Sequence, residues 1–114
     1  MHKDSHKIRA LNARFRRGDQ SVPGIIVATR GIHDLIGDDD REAVRLFQQV
    51  RAFNKFTADN DPHGEHDFGS FTFDKETCCW KIDVYDPSLE IAPLDPTDPS
   101  LSKRVLTIML ASEY

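Results

Sequence analysis

The strongest constraint on the fold is the alternation on either side of Asp74-Lys75-Glu76. Phe68–Phe73 and Thr77–Tyr85 both alternate with period two, which is the spacing of side chains on a strand. The pattern predicts a β-hairpin. With Lys75 and Glu76 as the central turn residues, Phe73 faces Cys78, Phe71 faces Trp80 and Gly69 faces Ile82. Phe71, Phe73, Cys78, Trp80, Ile82 and Val84 then form a core face, with Phe71 and Trp80 as an aromatic cross-strand pair. The adjacent cysteines, Cys78 and Cys79, point to opposite faces and do not pair with each other.

The remaining elements follow from periodicity and punctuation. Residues 5–17 read as a helix with an apolar stripe of Ile8, Leu11 and Phe15, stopped by Gly18. Ile25–Arg30 read as a strand that is apolar on both faces, the mark of a central position. Asp38–Asp40 open a second helix, with Asp39 and Glu42 at capping-box spacing. Ala43, Val44, Leu46, Phe47, Val50 and Phe53 give this helix a broad apolar face. Residues 86–101 form a long loop punctuated by three Asp-Pro pairs, and Arg104–Leu110 read as a final strand. The order is helix, strand, helix and three strands. This predicts one α+β domain over residues 1–114, with a mainly antiparallel four-stranded sheet packed against two helices.

The polar face of the hairpin holds the candidate site. In the predicted register Phe68 faces Asp83, Ser70 faces Lys81, His66 faces Tyr85 and Glu65 faces Asp86. His63, Glu65, His66, Asp67, Lys81, Asp83, Tyr85 and Asp86 would thus gather at one end of the sheet, beside the Asp-Pro loop. Imidazoles among carboxylates suit a divalent metal ion, with His63, His66, Asp83 and Asp86 as ligands. A histidine beside a carboxylate also suits acid–base catalysis, with Glu65 and His66 as the acting pair. The same residues are equally good turn formers, and a structural polar network accounts for them too. No phosphate-binding glycine loop is present, and no nucleophile has an evident base. The sequence therefore names no cofactor.

Charge is unevenly distributed beneath the net −4. Residues 1–17 hold six basic side chains and one acid, so the rest of the chain is strongly acidic. A basic N-terminal helix of this kind can bind nucleic acid, or it can dock on its own acidic body. No apolar run reaches membrane-spanning length and no signal peptide is legible, so the expected location is cytoplasmic.

Several segments together resemble one family. The run Asn60-Asp61-Pro62-His63-Gly64-Glu65-His66-Asp67-Phe68-Gly69 is similar to its signature, and Trp80-Lys81-Ile82-Asp83-Val84-Tyr85-Asp86 to a second motif. Arg104–Tyr114 resembles its C-terminal motif. The family is an uncharacterised one of small bacterial proteins, a domain of unknown function common on plasmids and other mobile elements. The resemblance carries no catalytic residues. It implies no activity, and its mobile-element setting points to a role such as countering host defence. With the acidic body and the lack of a strong catalytic motif, the expectation is a small acidic protein that binds a partner protein, such as an inhibitor of a host defence complex of the restriction or CRISPR kind. The alternative is a metal-dependent hydrolase or nuclease built on the His63-Glu65-His66 and Asp83-Asp86 groups.

Overall fold

The computed structural model describes residues 4–114; Lys3 of the basic segment lies outside them. The elements are α1 (Ser5–Arg16), β1 (Gly24–Ala28), α2 (Arg30–Ile36), α3 (Asp40–Ala52), β2 (Phe68–Phe73), β3 (Glu76–Tyr85) and β4 (Lys103–Leu110). A short 3-10 turn, Ala111–Glu113, follows β4. The fold is α+β with a four-stranded sheet, in the order β1-β4-β3-β2.

The sheet is mixed rather than uniformly antiparallel. β2, β3 and β4 run antiparallel to their neighbours, but β1 lies parallel to β4. β1 is therefore an edge strand and not a central one. Among the described residues there are also three α-helices where the periodicity predicts two. The extra one, α2, occupies residues next to the predicted strand Ile25–Arg30. The strand stops at Ala28, Thr29 stays extended as the cap residue, and Ile32 is completely buried. Leu35 and Ile36, at i+3 and i+4 from Ile32, pack on the same core.

α3 starts where its sequence says. Asp39 caps it by accepting a hydrogen bond from the Arg41 amide at 2.9 Å. Glu42 does not close a capping box; it pairs with Arg45 at 2.7 Å. Val44 is more than half exposed, so the buried stripe of α3 is narrower than the pattern implied.

All three helices contribute to a core on one face of the sheet. Leu11, Phe15, Ile32, Leu46, Val50 and Phe53 pack on Phe73, Cys78, Trp80, Ile82, Leu106 and Ile108. By alternation, Lys81, Asp83, Tyr85, Ile25 and Val27 project from the other face. Cys78 and Cys79 are both buried and unbridged.

The hairpin keeps its predicted faces but not its pairing. Phe73 pairs with Glu76, Phe71 with Cys78 and Gly69 with Trp80. The central turn residues are Asp74 and Lys75, both at positive φ (48° and 70°). Two consecutive left-handed residues match the twist of the flanking strands, and aspartate tolerates that conformation. The turn thus sits one residue earlier than predicted, and every cross-strand partner moves by two. The aromatic pair Phe71–Trp80 is not formed. Instead Trp80 lies under Gly69, edge-on to Phe53 at 5.5 Å between ring centroids.

Gly69 is needed for this contact. A Cβ there would stand 2.5 Å from Trp80 Nε1 and 2.7 Å from Phe53 Cζ. Gly69→Ala is expected to cost about 1–3 kcal/mol of stability by overpacking. Urea denaturation checks this; an unchanged midpoint would show that the two rings yield freely.

Candidate functional site

The segment between α3 and β2 is built by Asn60 and Asp61. The Asn60 side chain accepts from the Thr57 amide and donates to the Lys55 carbonyl, fixing the first turn. Asp61 is buried, and its Oδ1 accepts from the amides of Glu65 and His66 at 3.1 and 3.0 Å. The Asp61 carbonyl accepts from Gly64, which has φ 67°. The chain is thereby wound around one carboxylate, and His66 is held at φ 51°.

That conformation decides where His66 goes. Its ring stacks on Phe56 at 3.7 Å, nearly parallel, and its Nε2 lies 3.4 Å from Asp61 Oδ2. Phe56 in turn meets Phe53 and Trp80 edge-on, so His66 belongs to the helix side of the sheet. Burial pushes the His66 pKa down; Asp61 opposes this, while Arg9, Arg16 and Arg17 reinforce it. The fold thus favours the neutral imidazole.

Asp83 pairs with Lys81 at 3.1 Å on the helix-free face, and the bond to Asp83 raises the Lys81 pKa. Tyr85 is half-buried at the end of β3, in register with Lys103. Asp86 accepts from Ser88 Oγ and from the amides of Glu90 and Ile91, so it organises the start of the loop. His63 is exposed in the turn before Gly64. Glu65 gives its carbonyl to Asn12 Nδ2 at 3.0 Å. Of the predicted cluster, His63 and Asp83 lie within electrostatic reach of Asp67, while Asp86 is engaged by its own loop. In the observed register Phe68 pairs with Lys81, two positions earlier on β3 than predicted, and the strand conformation begins only at Phe68. Among the described residues, no three His, Cys, Asp or Glu side chains form a group able to hold a metal ion.

Asp67 is half-buried, and its carbonyl accepts the Ile82 amide at 2.8 Å. Burial raises its carboxyl pKa, with Asp61 and Asp83 adding to the rise and His63 opposing it. A carboxyl pKa raised by folding disfavours the folded state once the group ionises. The penalty is present at neutral pH and vanishes when both states are protonated. Asp67→Asn is therefore expected to raise stability modestly at pH 7, by under about 1 kcal/mol, and not at all near about pH 3. Melting curves at the two values check it; a gain at both would assign the effect to packing.

Two buried arginines carry more of this region than the predicted residues do. Arg16 donates through Nη1 to the carbonyls of Val50 and Arg51 at 2.8 and 2.9 Å, and its guanidinium lies 5.3 Å from the Trp80 ring. Its Nε and Nη2 are buried without hydrogen-bond partners among the described residues. Arg104 is fully buried and donates to Asn12 Oδ1, Ser102 Oγ and the Pro96 carbonyl. Burial lowers both pKa values to about 10, so both stay charged at neutral pH. The sequence held a signal for each. Ile8, Asn12 and Arg16 share a helical face, and Arg104 alternates with Leu106 and Ile108.

Two cations of the basic N-terminal helix are taken up by its own domain, while Lys7, Arg9 and Arg17 are exposed. Arg14 bonds Asp19 and Ser21, and Arg16 is buried. Asp19, held by Ser21 and Arg14, has its pKa lowered to about 2.

The loop after β3 is a series of aspartate turns. Asp95 caps Thr97, Asp98 caps Ser100, and Ser102 Oγ donates to the Asp98 carbonyl at 2.8 Å. Arg104 Nη2 holds the Pro96 carbonyl at 2.9 Å. The loop is tied at both ends and in its middle, yet it presents Ile91 and Leu94 at 66% and 90% exposure.

Fold and site together define a small α+β domain with its helices on one sheet face and a braced, acidic loop beside them. Among the described residues no helix is long and apolar enough to cross a membrane. A family described as proteins of unknown function (DUF3768) matches residues 28–113, and the chain belongs to it. No curated protein and no solved structure matches the chain.

Proposed function

We propose that this protein is an interaction module that engages a partner protein through the loop between β3 and β4. The observation that carries this reading is the exposure of Ile91 and Leu94 on a loop fixed by hydrogen bonds. Large aliphatic side chains are costly to leave in water, by about 1.5–3 kcal/mol each relative to burial. A loop that is already ordered presents them without a large ordering cost on binding.

The chemistry of the loop sets the kind of partner. Residues 86–102 contain Asp86, Glu90, Asp95 and Asp98 and no lysine or arginine. The complementary surface is an apolar cleft with a basic rim. Basic clefts are typical of nucleic-acid-handling complexes, and acidic protein surfaces can occupy them. The resemblance to mobile-element proteins makes a host defence complex the partner class to test first.

The test is a double variant, Ile91→Ser with Leu94→Ser. Both side chains are exposed, so the melting temperature is expected to stay within the range of a surface substitution, about ±0.5 kcal/mol. A partner recovered in stoichiometric amount by the wild-type protein should be lost. Retention of that partner by the double variant, or recovery of none by the wild type, would overturn the reading.

A further inference from the structure

β1 has the sequence of a central strand in the place of an edge strand. Ile25, Ile26 and Val27 are 39%, 41% and 39% exposed, although they supply apolar side chains to both faces of the sheet. The hydrogen-bond pattern shows what faces outward. The Arg104 amide donates to the Pro23 carbonyl, and the Thr29 amide donates to the Ile108 carbonyl. Odd-numbered residues of this segment thus serve the ladder with β4. The amides and carbonyls of Gly24, Ile26 and Ala28 point away from it. No proline, lysine or bulge protects this edge, and such protection is the usual device against pairing with another chain.

A groove of about 550 Å³ runs along the same edge. Its floor is apolar, from Phe15, Val22 and Ile26, and its rim carries Arg51 and Lys103. Neither cation has an ion-pair partner among the described residues. The one acid in the groove, Asp19, is already bound to Arg14.

We infer that β1 is a strand-addition site for an extended, acidic segment of a partner protein. The segment's backbone pairs with Gly24, Ile26 and Ala28. Its apolar side chains cover Ile25 and Val27 on one face and enter the groove beside Ile26 on the other. Its carboxylates meet Arg51 and Lys103. Main-chain bonds supply affinity in this mode and side-chain pockets supply specificity. A second copy of this chain fits worse. Two-fold antiparallel pairing centred on Ile26 would set the Ala28–Arg30 end of one copy against the groove of the other, bringing Arg30 toward two cations. This site is separate from the loop reading and does not depend on it.

The test is to pan a phage-displayed library of linear peptides against the full chain, then titrate the enriched peptide into the 15N-labelled protein. Enriched sequences should alternate β-branched residues and carry Asp or Glu, and the largest amide shifts should fall on Gly24, Ile26 and Ala28. Arg51→Glu with Lys103→Glu should weaken binding at least about tenfold, as should Ile26→Pro, which removes an outward amide. Ile91→Ser with Leu94→Ser should leave it unchanged, so failure of the loop reading is separable from failure of this one. No enrichment, enrichment without acidic residues, or shifts away from β1 would overturn the inference. So would concentration-dependent dimerisation with the β1 amides protected, which would give the edge to a second copy.

Discussion

Arg104→Met is expected to destabilise the protein by about 2–4 kcal/mol and to release the loop between β3 and β4. Arg104 is fully buried, yet it pairs with no carboxylate among the described residues. Its guanidinium bonds Asn12 Oδ1 at 2.7 Å, the Pro96 carbonyl at 2.9 Å and Ser102 Oγ at 3.2 Å. One side chain therefore ties α1, the loop and β4 together. Methionine replaces most of the aliphatic stem but none of the donors. Asn12 Oδ1 is then left without that bond in a buried place, and the Pro96 carbonyl in a partly buried one, at up to about 1–3 kcal/mol each. Part of this is returned, because the variant no longer desolvates a charge whose burial already lowers its pKa to about 10. The remaining loss is a large share of the roughly 5–15 kcal/mol that holds a domain of this size. Urea denaturation measures the loss, and amide hydrogen exchange over residues 95–101 reports the loop. A variant as stable as wild type with its loop amides still protected would show that the neutral partners rearrange at no cost.

Arg104 also marks where sequence reading reaches and where it stops. The strands of the hairpin, β4, α1, α3 and the long loop follow from periodicity and from Gly and Pro, because those signals are local. The chain's pattern says that Arg104 shares a face with Leu106 and Ile108. It does not say that Asn12, ninety-two positions earlier, completes its bonding. Pairing across the sheet is equally non-local. Ile25–Val27 read as central because they are apolar on both faces, and only the topology places them at an edge. The candidate site depended on a turn one residue long in its error. Asp74 and Lys75, not Lys75 and Glu76, take the left-handed positions, so every cross-strand partner moves by two, and His66 turns to the helix side to stack on Phe56. Within the signature run, Asp61 winds the loop by accepting from the amides of Glu65 and His66. The stacking of His66 on Phe56 is not encoded in any spacing.

Asp61→Ala is expected to cost about 2–4 kcal/mol and to free the His66 ring from Phe56. Asp61 is 9% exposed, and one of its oxygens serves two backbone amides, those of Glu65 and His66. Alanine leaves both amides without this acceptor in a partly buried turn, and it removes what keeps His66 at φ 51°. Asp61→Asn retains an acceptor oxygen and should lose less than half as much. The two variants differ from wild type in pH response as well. The folded-state pKa of His66 lies below its ordinary value, so the fold favours neutral imidazole. That contribution is fully present above about pH 6.5 and is lost as the pH falls toward the folded-state value. Asp61 is the charge that holds the His66 pKa up against burial and three arginines. In Asp61→Asn, where the stack persists, the His66 pKa should move lower still, and the acid-side loss of stability should extend to lower pH. In Asp61→Ala, where the ring is released to water, it should return toward 6.5 and the dependence should flatten. Titration of the His66 ring protons by NMR in the three proteins measures each value. An Asp61→Ala protein whose His66 still titrates below the ordinary value, with the Phe56 stack intact, would assign the loop to its other contacts rather than to Asp61.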